Sequence, residues 1–327
     1  MNLLKKGYVD LSVDPNINLV SEINNLRKEK NAIILAHYYQ LPEIQEIADF
    51  VGDSLALSQK ASSTNADIIL FAGVHFMAET AKILSPDKIV LIPDLNAGCS
   101  LADSAPADKF AEFIKLYPDH TVISYVNTTA EVKAMSDIIC TSSNAVAIVN
   151  SLPKNEKIIF GPDRNLGNYI KSVTGREMVI WDGACHVHEE FSVERIIDLK
   201  KDFPNAKLVA HPECKKPILI MADFIGSTAA LLNFTISDNA TEYIVATESG
   251  IIHQMRKENS GKTFIPAPPI DSTCGCNDCN FMKLITLKKM YLTLLYEKPE
   301  IVLDNAIIEK AKIPIIRMLE ISQRFGL

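Results

Sequence analysis

Three short segments carry acid–base groups at a nearly constant separation. His37 and Tyr39 are answered 88 residues on by Tyr125 and Asn127, and 86 residues further by His211 and Glu213. Imidazole, phenol and carboxylate are the side chains that hold and move protons, and an amide among them can orient a polar ligand. A set of hydroxyls keeps the same period: Ser54, Ser142 and Thr228, with Ser227 beside the last. Each precedes a small-residue run (55–57, 145–147, 229–231) that reads as the start of a helix. A hydroxyl there can cap the helix, or stand among free N–H groups that attract carboxylate or phosphate.

Thiols form a third set. Cys99 and Cys185 lie 86 residues apart, and a longer tail, 271–279, holds Cys274, Cys276 and Cys279. One thiolate per repeat, brought to a common axis, makes a soft three-sulfur site. Three widely separated thiolates suit a [4Fe–4S] cluster with one open iron, able to act as a Lewis acid; structural zinc is the alternative. One period past Cys185 falls at Asp271, near Cys274, while Cys276 and Cys279 form a CxxC pair, so spacing alone leaves the third ligand open. Cys140 and Cys214 read as buried thiols. His75, His120 and His253 read as structural, and His186 and His188 flank Cys185 without an assigned role.

These groups need elements to carry them. The segments 32–39, 121–127 and 207–213 begin as near-continuous apolar runs, the pattern of strands covered on both faces. A second strand follows in each repeat (67–73, 157–161, 242–247), then a third (88–93, 177–181, 263–267). The fold class is therefore α/β: three similar α/β/α units with parallel sheets around a pseudo-threefold axis, and a site at the centre. The units span 1–98, 99–184 and 185–279, the first completed by C-terminal helices within 280–327. Apolar residues from Phe281 to Leu295 fall at helical spacing, and a last helix runs over roughly 305–324.

The whole composition agrees with a globular protein. The 327 residues are 47% hydrophobic and 22% charged, with a formal net charge of −7 and no dense basic run, against a nucleic-acid partner. The N-terminal segment lacks the apolar stretch of a secretory signal, and no run approaches the ~20 apolar residues of a membrane span, so a cytoplasmic protein with no membrane partner is expected. Seven cysteines, an odd number, argue against a disulfide framework.

With these residues in view, the chain resembles the quinolinate synthase family of bacterial NAD biosynthesis, over nearly its whole length. The resemblance is carried by the runs 36–40, 52–54, 97–100, 125–128, 140–144, 181–188, 211–214, 226–228 and the terminal CxxC before Phe281-Met282. It implies a condensing and dehydrating transferase that joins iminoaspartate to dihydroxyacetone phosphate, releasing phosphate and two waters. It further implies a [4Fe–4S] cluster on Cys99, Cys185 and Cys279, with Cys274 and Cys276 unassigned because the CxCxxC spacing departs from the CxxCxxC of some members. By the same resemblance Tyr39 and Glu213 move protons, and Tyr125 and Asn127 orient the intermediate. His37, Ser54, Ser142, His211, Ser227 and Thr228 hold carboxylates or phosphate. An L-aspartate-oxidising enzyme is the implied supplier of iminoaspartate. Two readings outside the resemblance are an iron–sulfur carrier, which needs only the cysteines, and a metal-independent aldolase, which needs a catalytic lysine.

Overall fold

The computed structural model describes residues 3–271 and 278–327. Cys274 and Cys276 lie outside the described residues. Among the described residues, twelve strands form three separate parallel sheets. The first holds β1 (Ala32–His37), β2 (Phe50–Gly52), β3 (Ile68–Ala72) and β4 (Ile89–Leu91). The second holds β5 (Thr121–Tyr125), β6 (Ile138–Cys140), β7 (Ile158–Gly161) and β8 (Met178–Ile180). The third holds β9 (Lys207–Ala210), β10 (Phe224–Ile225), β11 (Glu242–Ala246) and β12 (Thr263–Pro266). Strand order is the same in all: β2-β1-β3-β4, β6-β5-β7-β8 and β10-β9-β11-β12. Register repeats as well. Ala36 pairs with Ala72, Ser124 with Gly161, and Ala210 with Ala246, each one residue before the end group that the sequence singled out.

The sequence pattern leads to three strands per unit, and the structure has four. The additional ones, β2, β6 and β10, are two or three residues long and sit at sheet edges. Such a length gives no periodicity to read. Their place follows from the turn chemistry: an acidic residue just before each accepts the N–H of a first-strand residue. Asp49 takes that of Ile34, Asp137 that of Val122, and Asp223 that of Leu208.

Both faces of each sheet are covered by helices, which is why Ile34, Leu35, Ile69, Ile159, Phe160, Ile244 and Val245 are fully buried. The C-terminal helices close the first two units together. Leu287–Tyr296 packs on the N-terminal helix Leu19–Glu29 and on β3. Asn305–Arg324 sets Ala311, Ile315 and Met318 into one core with Ile138 and Ile139 of β6 and with Ala78 and Ala81 of the helix His75–Leu84. A buried hydrogen bond from Asn144 Nδ2 to Ser322 Oγ, at 2.9 Å, fixes its end. No helix of the described residues is long and apolar enough to cross a membrane.

Candidate active site

The carboxyl ends of parallel strands expose loops and free N–H groups, and here three sets of such ends face one cavity of about 180 Å³. His37, Tyr39 and Ser54 reach it from the first unit, Cys99, Tyr125, Asn127 and Ser142 from the second, and Cys185, His211, Glu213, Thr228 and Cys279 from the third. Phe76, Met77, Phe281 and Met282 supply apolar wall. No lysine or arginine lines it among the described residues, and the donors that do are neutral hydroxyl, imidazole and amide groups.

The units are tied to one another at this centre. Tyr39 Oη lies 2.9 Å from Thr228 Oγ1 and 2.7 Å from Thr247 Oγ1. His188 Nε2 is 3.0 Å from that same Thr247 oxygen, and His188 Nδ1 is 3.1 Å from Glu213 Oε2. The last contact is close without hydrogen-bond alignment, since Nδ1 has no aligned partner. Tyr125 Oη donates to Glu213 Oε1 at 2.5 Å. The two phenols therefore lie at the ends of one run of close contacts, Tyr125–Glu213–His188–Thr247–Tyr39, hydrogen-bonded at every link except Glu213–His188. Ser142 Oγ meets His211 Nε2 at 3.1 Å, and Ser143 Oγ donates to Asp53 Oδ2 at 2.6 Å, so each pair of units shares side-chain bonds.

Two histidines are set by the same local device. His37 Nδ1 accepts the N–H of Tyr39 at 3.2 Å, and His211 Nδ1 accepts that of Glu213 at 3.3 Å. Using Nδ1 as acceptor leaves the proton on Nε2, so each neutral ring can donate from that atom. Burial drives both imidazoles down to about 3, which keeps them neutral near pH 7. Burial would raise Glu213, but His188, His211 and the Tyr125 hydroxyl outweigh it and hold the carboxyl at about 2. Burial raises both phenols, Tyr125 further through the Glu213 charge, so they stay protonated. The centre thus combines one ionised base with neutral donors.

The hydroxyl set divides. Read as caps, Ser54, Ser142 and Thr228 are misplaced by one or two residues. Asp53 caps the helix Ser54–Ser63, Asn144 precedes Ala145–Ser151, and Ser227 caps Thr228–Ser237 by accepting from Ala230 N. Relieved of capping, Ser54, Ser142 and Thr228 line the cavity. Ser227 is buried behind it, its oxygen occupied by the cap.

Among the described residues three thiols line the cavity, each just ahead of a short helix: Cys99 before Ser100–Asp103, Cys185 before His186–Glu189, and Cys279 before the 3₁₀ turn Met282–Leu284. All three are free and partly accessible to the cavity yet removed from bulk water. That desolvation raises their thiol pKa values, Cys99 to about 12. The N–H groups of Leu101 and Ala102, of His188, and of Phe281 and Met282 oppose the rise at the three sulfurs in turn. Cys99 interacts electrostatically with both Cys279 and Cys185, so the sulfurs share one region. Three soft donors with N–H groups facing them fit a sulfur-ligated metal group. Cys185, His188 and Glu213 also bring possible ligand atoms within 4.8 Å of one another. Asn127 Oδ1 and Thr141 Oγ1 face the same cavity, buried and without a partner among the described residues.

Cys140 and Cys214 are buried free thiols away from this group. His75 pairs with Glu79, His253 with Glu46, and His120 packs on Tyr117. Sequence reasoning left His188 unassigned and did not single out Thr247, Glu248, Asp163 or Lys283. The available signal was position: Asp163 and Glu248 stand two residues past the ends of β7 and β11. Lys283 Nζ reaches Glu248 Oε1 at 2.8 Å and the Tyr39 carbonyl at 2.7 Å. Gly250 permits this approach, because a Cβ there would lie 2.8 Å from the Tyr39 backbone.

A site drawing polar side chains from every unit of a triplicated parallel α/β chain, with thiols among them, is the build of an enzyme. Comparison with known proteins narrows the class. The sequence profile of the quinolinate synthetase A protein family matches residues 21–320, and the chain belongs to that family. It is 60% identical over 306 residues to the quinolinate synthase of Thermosynechococcus vestitus, covering 94% of this chain and 96% of the relative. It is 60% identical over 305 residues to the quinolinate synthase of Synechocystis sp., covering 93% and 96%.

Proposed function

We propose that this chain condenses iminoaspartate with dihydroxyacetone phosphate to form quinolinate, with loss of phosphate and two waters, as a cytoplasmic step of NAD biosynthesis. The observation that carries the reading is the meeting, in one lysine-free cavity, of three thiols with the chain from Tyr125 to Tyr39. Cys99, Cys185 and Cys279 would hold a [4Fe–4S] cluster, which when bound supplies a Lewis acid for loss of a hydroxyl.

The remaining work belongs to the side chains. Substrate carboxylates and phosphate are held by the Nε2–H groups of His37 and His211 and by the hydroxyls of Ser54, Ser142 and Thr228, with Ser227 holding the helix start that presents Thr228. Asn127 orients the bound molecule through its unpartnered Oδ1, which faces a donor on the substrate. Glu213, ionised, accepts a carbon-bound or hydroxyl proton as general base. Its negative charge is shared with the Tyr125 hydroxyl, and His188 and Thr247 link it to Tyr39, which delivers a proton at the other end. The apolar wall keeps water from the unstable imine. Iminoaspartate arises by oxidation of L-aspartate, so an L-aspartate-oxidising enzyme is the coupled partner. No nucleic-acid or membrane partner is proposed.

The test is an anaerobic assay with both substrates, with iron and sulfide measured on the same sample. Quinolinate formation in proportion to bound iron is expected. Full activity in iron-free protein rejects the cluster, and iron without quinolinate points to a carrier.

A further inference from the structure

We infer that Asp163 and Glu248 are positioning residues, buried carboxylates that grip the backbone of Cys185 and Cys279 and so set where two of the three thiols stand. The inference rests on those thiols being ligands, as proposed above.

The two carboxylates occupy equivalent places. The register that pairs Ser124 with Gly161 and Ala210 with Ala246 puts Asp163 and Glu248 each two residues past its strand. Each spans from its own loop to a cysteine. Asp163 Oδ1 accepts the N–H of Leu166 at 2.7 Å, and Oδ2 accepts that of Cys185 at 3.2 Å. Glu248 Oε2 accepts the N–H of Gly250 at 2.8 Å, and Oε1 that of Cys279 at 3.1 Å. Both residues are 0% exposed.

Local capping does not call for such residues. A serine or asparagine caps a helix as well and brings no charge into the interior. A buried carboxylate is costly unless both oxygens are used; the second oxygen of Asp163 goes to the Cys185 N–H, and that of Glu248 to the Cys279 N–H together with Lys283 Nζ. That bond fixes the cysteine backbone, and hence the Cα–Cβ direction that aims the sulfur. Groups that orient metal ligands in this way typically change metal affinity ~10–100-fold when removed. The equivalent residue of the first unit is Val74, which has no such group. The loop before Cys99 is braced instead by buried Asp94, which accepts from Asn96 N at 2.9 Å and pairs with Lys289.

The experiment uses the full chain, purified anaerobically and reconstituted with iron and sulfide, as wild type, Asp163→Asn, Asp163→Ser and Glu248→Gln. Serine keeps a cap for Leu166 but cannot reach Cys185, so Asp163→Ser separates gripping from capping. Loss of iron to a chelator should be about 10-fold faster or more in each variant, with the visible absorbance of the cluster shifted. In cluster-free protein, alkylation mapped by mass spectrometry should accelerate several-fold at Cys185 alone in the Asp163 variants and at Cys279 alone in Glu248→Gln. General loosening would accelerate all three thiols together and overturns the inference, as does iron release and alkylation unchanged from wild type. Wild-type protein that binds no iron or sulfide would instead defeat the cluster, while the alkylation pattern would still decide whether the carboxylates position the thiols.

Discussion

The cavity has two threefold walls, and they diverged in opposite ways. At the ends of the first strands the backbone is held in common and the chemistry varies. His37, Tyr125 and His211 each stand one residue past an equivalent pair in the sheet, yet they are imidazole, phenol and imidazole, followed two residues on by Tyr39, Asn127 and Glu213. At the thiol wall the chemistry is common and the support varies. Three cysteines are braced by Asp94 with Lys289, by Asp163 with no ion pair among the described residues, and by Glu248 with Lys283. A sheet dictates backbone position through its ladder, so side chains at strand ends can be exchanged freely. Loops have no ladder, so each copy that keeps its sulfur in place does so through its own side-chain brace.

The largest expected effect separates the walls. Cys99→Ser should remove both iron and activity, whereas Glu213→Gln should keep wild-type iron and lower kcat by about 10²–10⁴-fold, the range of a lost general base. Iron content and turnover, measured together, check this; a Glu213→Gln protein with unchanged turnover would remove Glu213 from the proton chemistry.

A smaller effect is expected inside the first wall. Thr247→Val keeps shape but removes the oxygen shared by Tyr39 and His188. If the two phenols work as one chain, kcat should fall about 10-fold or more with KM little changed. A change in KM alone would mean that Tyr39 and Glu213 act independently.

A last effect is in stability. His37 and His211 are held at about 3 in the folded chain, below the ordinary value of 6.5. Between those values the unfolded chain binds protons that the folded one refuses, so stability is full above pH 6.5 and is lost as pH falls toward 3. Glu213, held at about 2, adds a loss of the same sign below 4.5. Each histidine contributes a slope of about 1.4 kcal/mol per pH unit. Urea denaturation of cluster-free protein across pH 6 to 4 should show this slope reduced in His211→Gln; an equal slope would mean that the ring is not neutral in the fold.

Much of the first wall was legible because strand ends recur at a fixed sequence distance. The period of 86–88 residues located His37, Tyr125 and His211 and the hydroxyls Ser54, Ser142 and Thr228. It failed for elements of two or three residues, so β2, β6 and β10 were missed, and it left capping open for Ser54, Ser142 and Thr228, where the residues one ahead of the helices are Asp53, Asn144 and Ser227. The contacts of His188 were invisible because its partners, Thr247 and Glu213, lie 59 and 25 residues away in other loops of the same unit.

Sequence by itself determined what is local or periodic: the triplication, the parallel α/β class, the residue types at strand ends and the thiols Cys99 and Cys185 one period apart. These follow from hydrophobic runs and from groups that must stand where a strand stops. The tertiary structure alone decided which groups meet. Tyr39 belongs with Thr228, Tyr125 with Glu213, and Asp163 with Cys185, because side-chain bonds are short-ranged and depend on how three sheets pack. No spacing along the chain encodes the few ångströms that join the two phenols into one path.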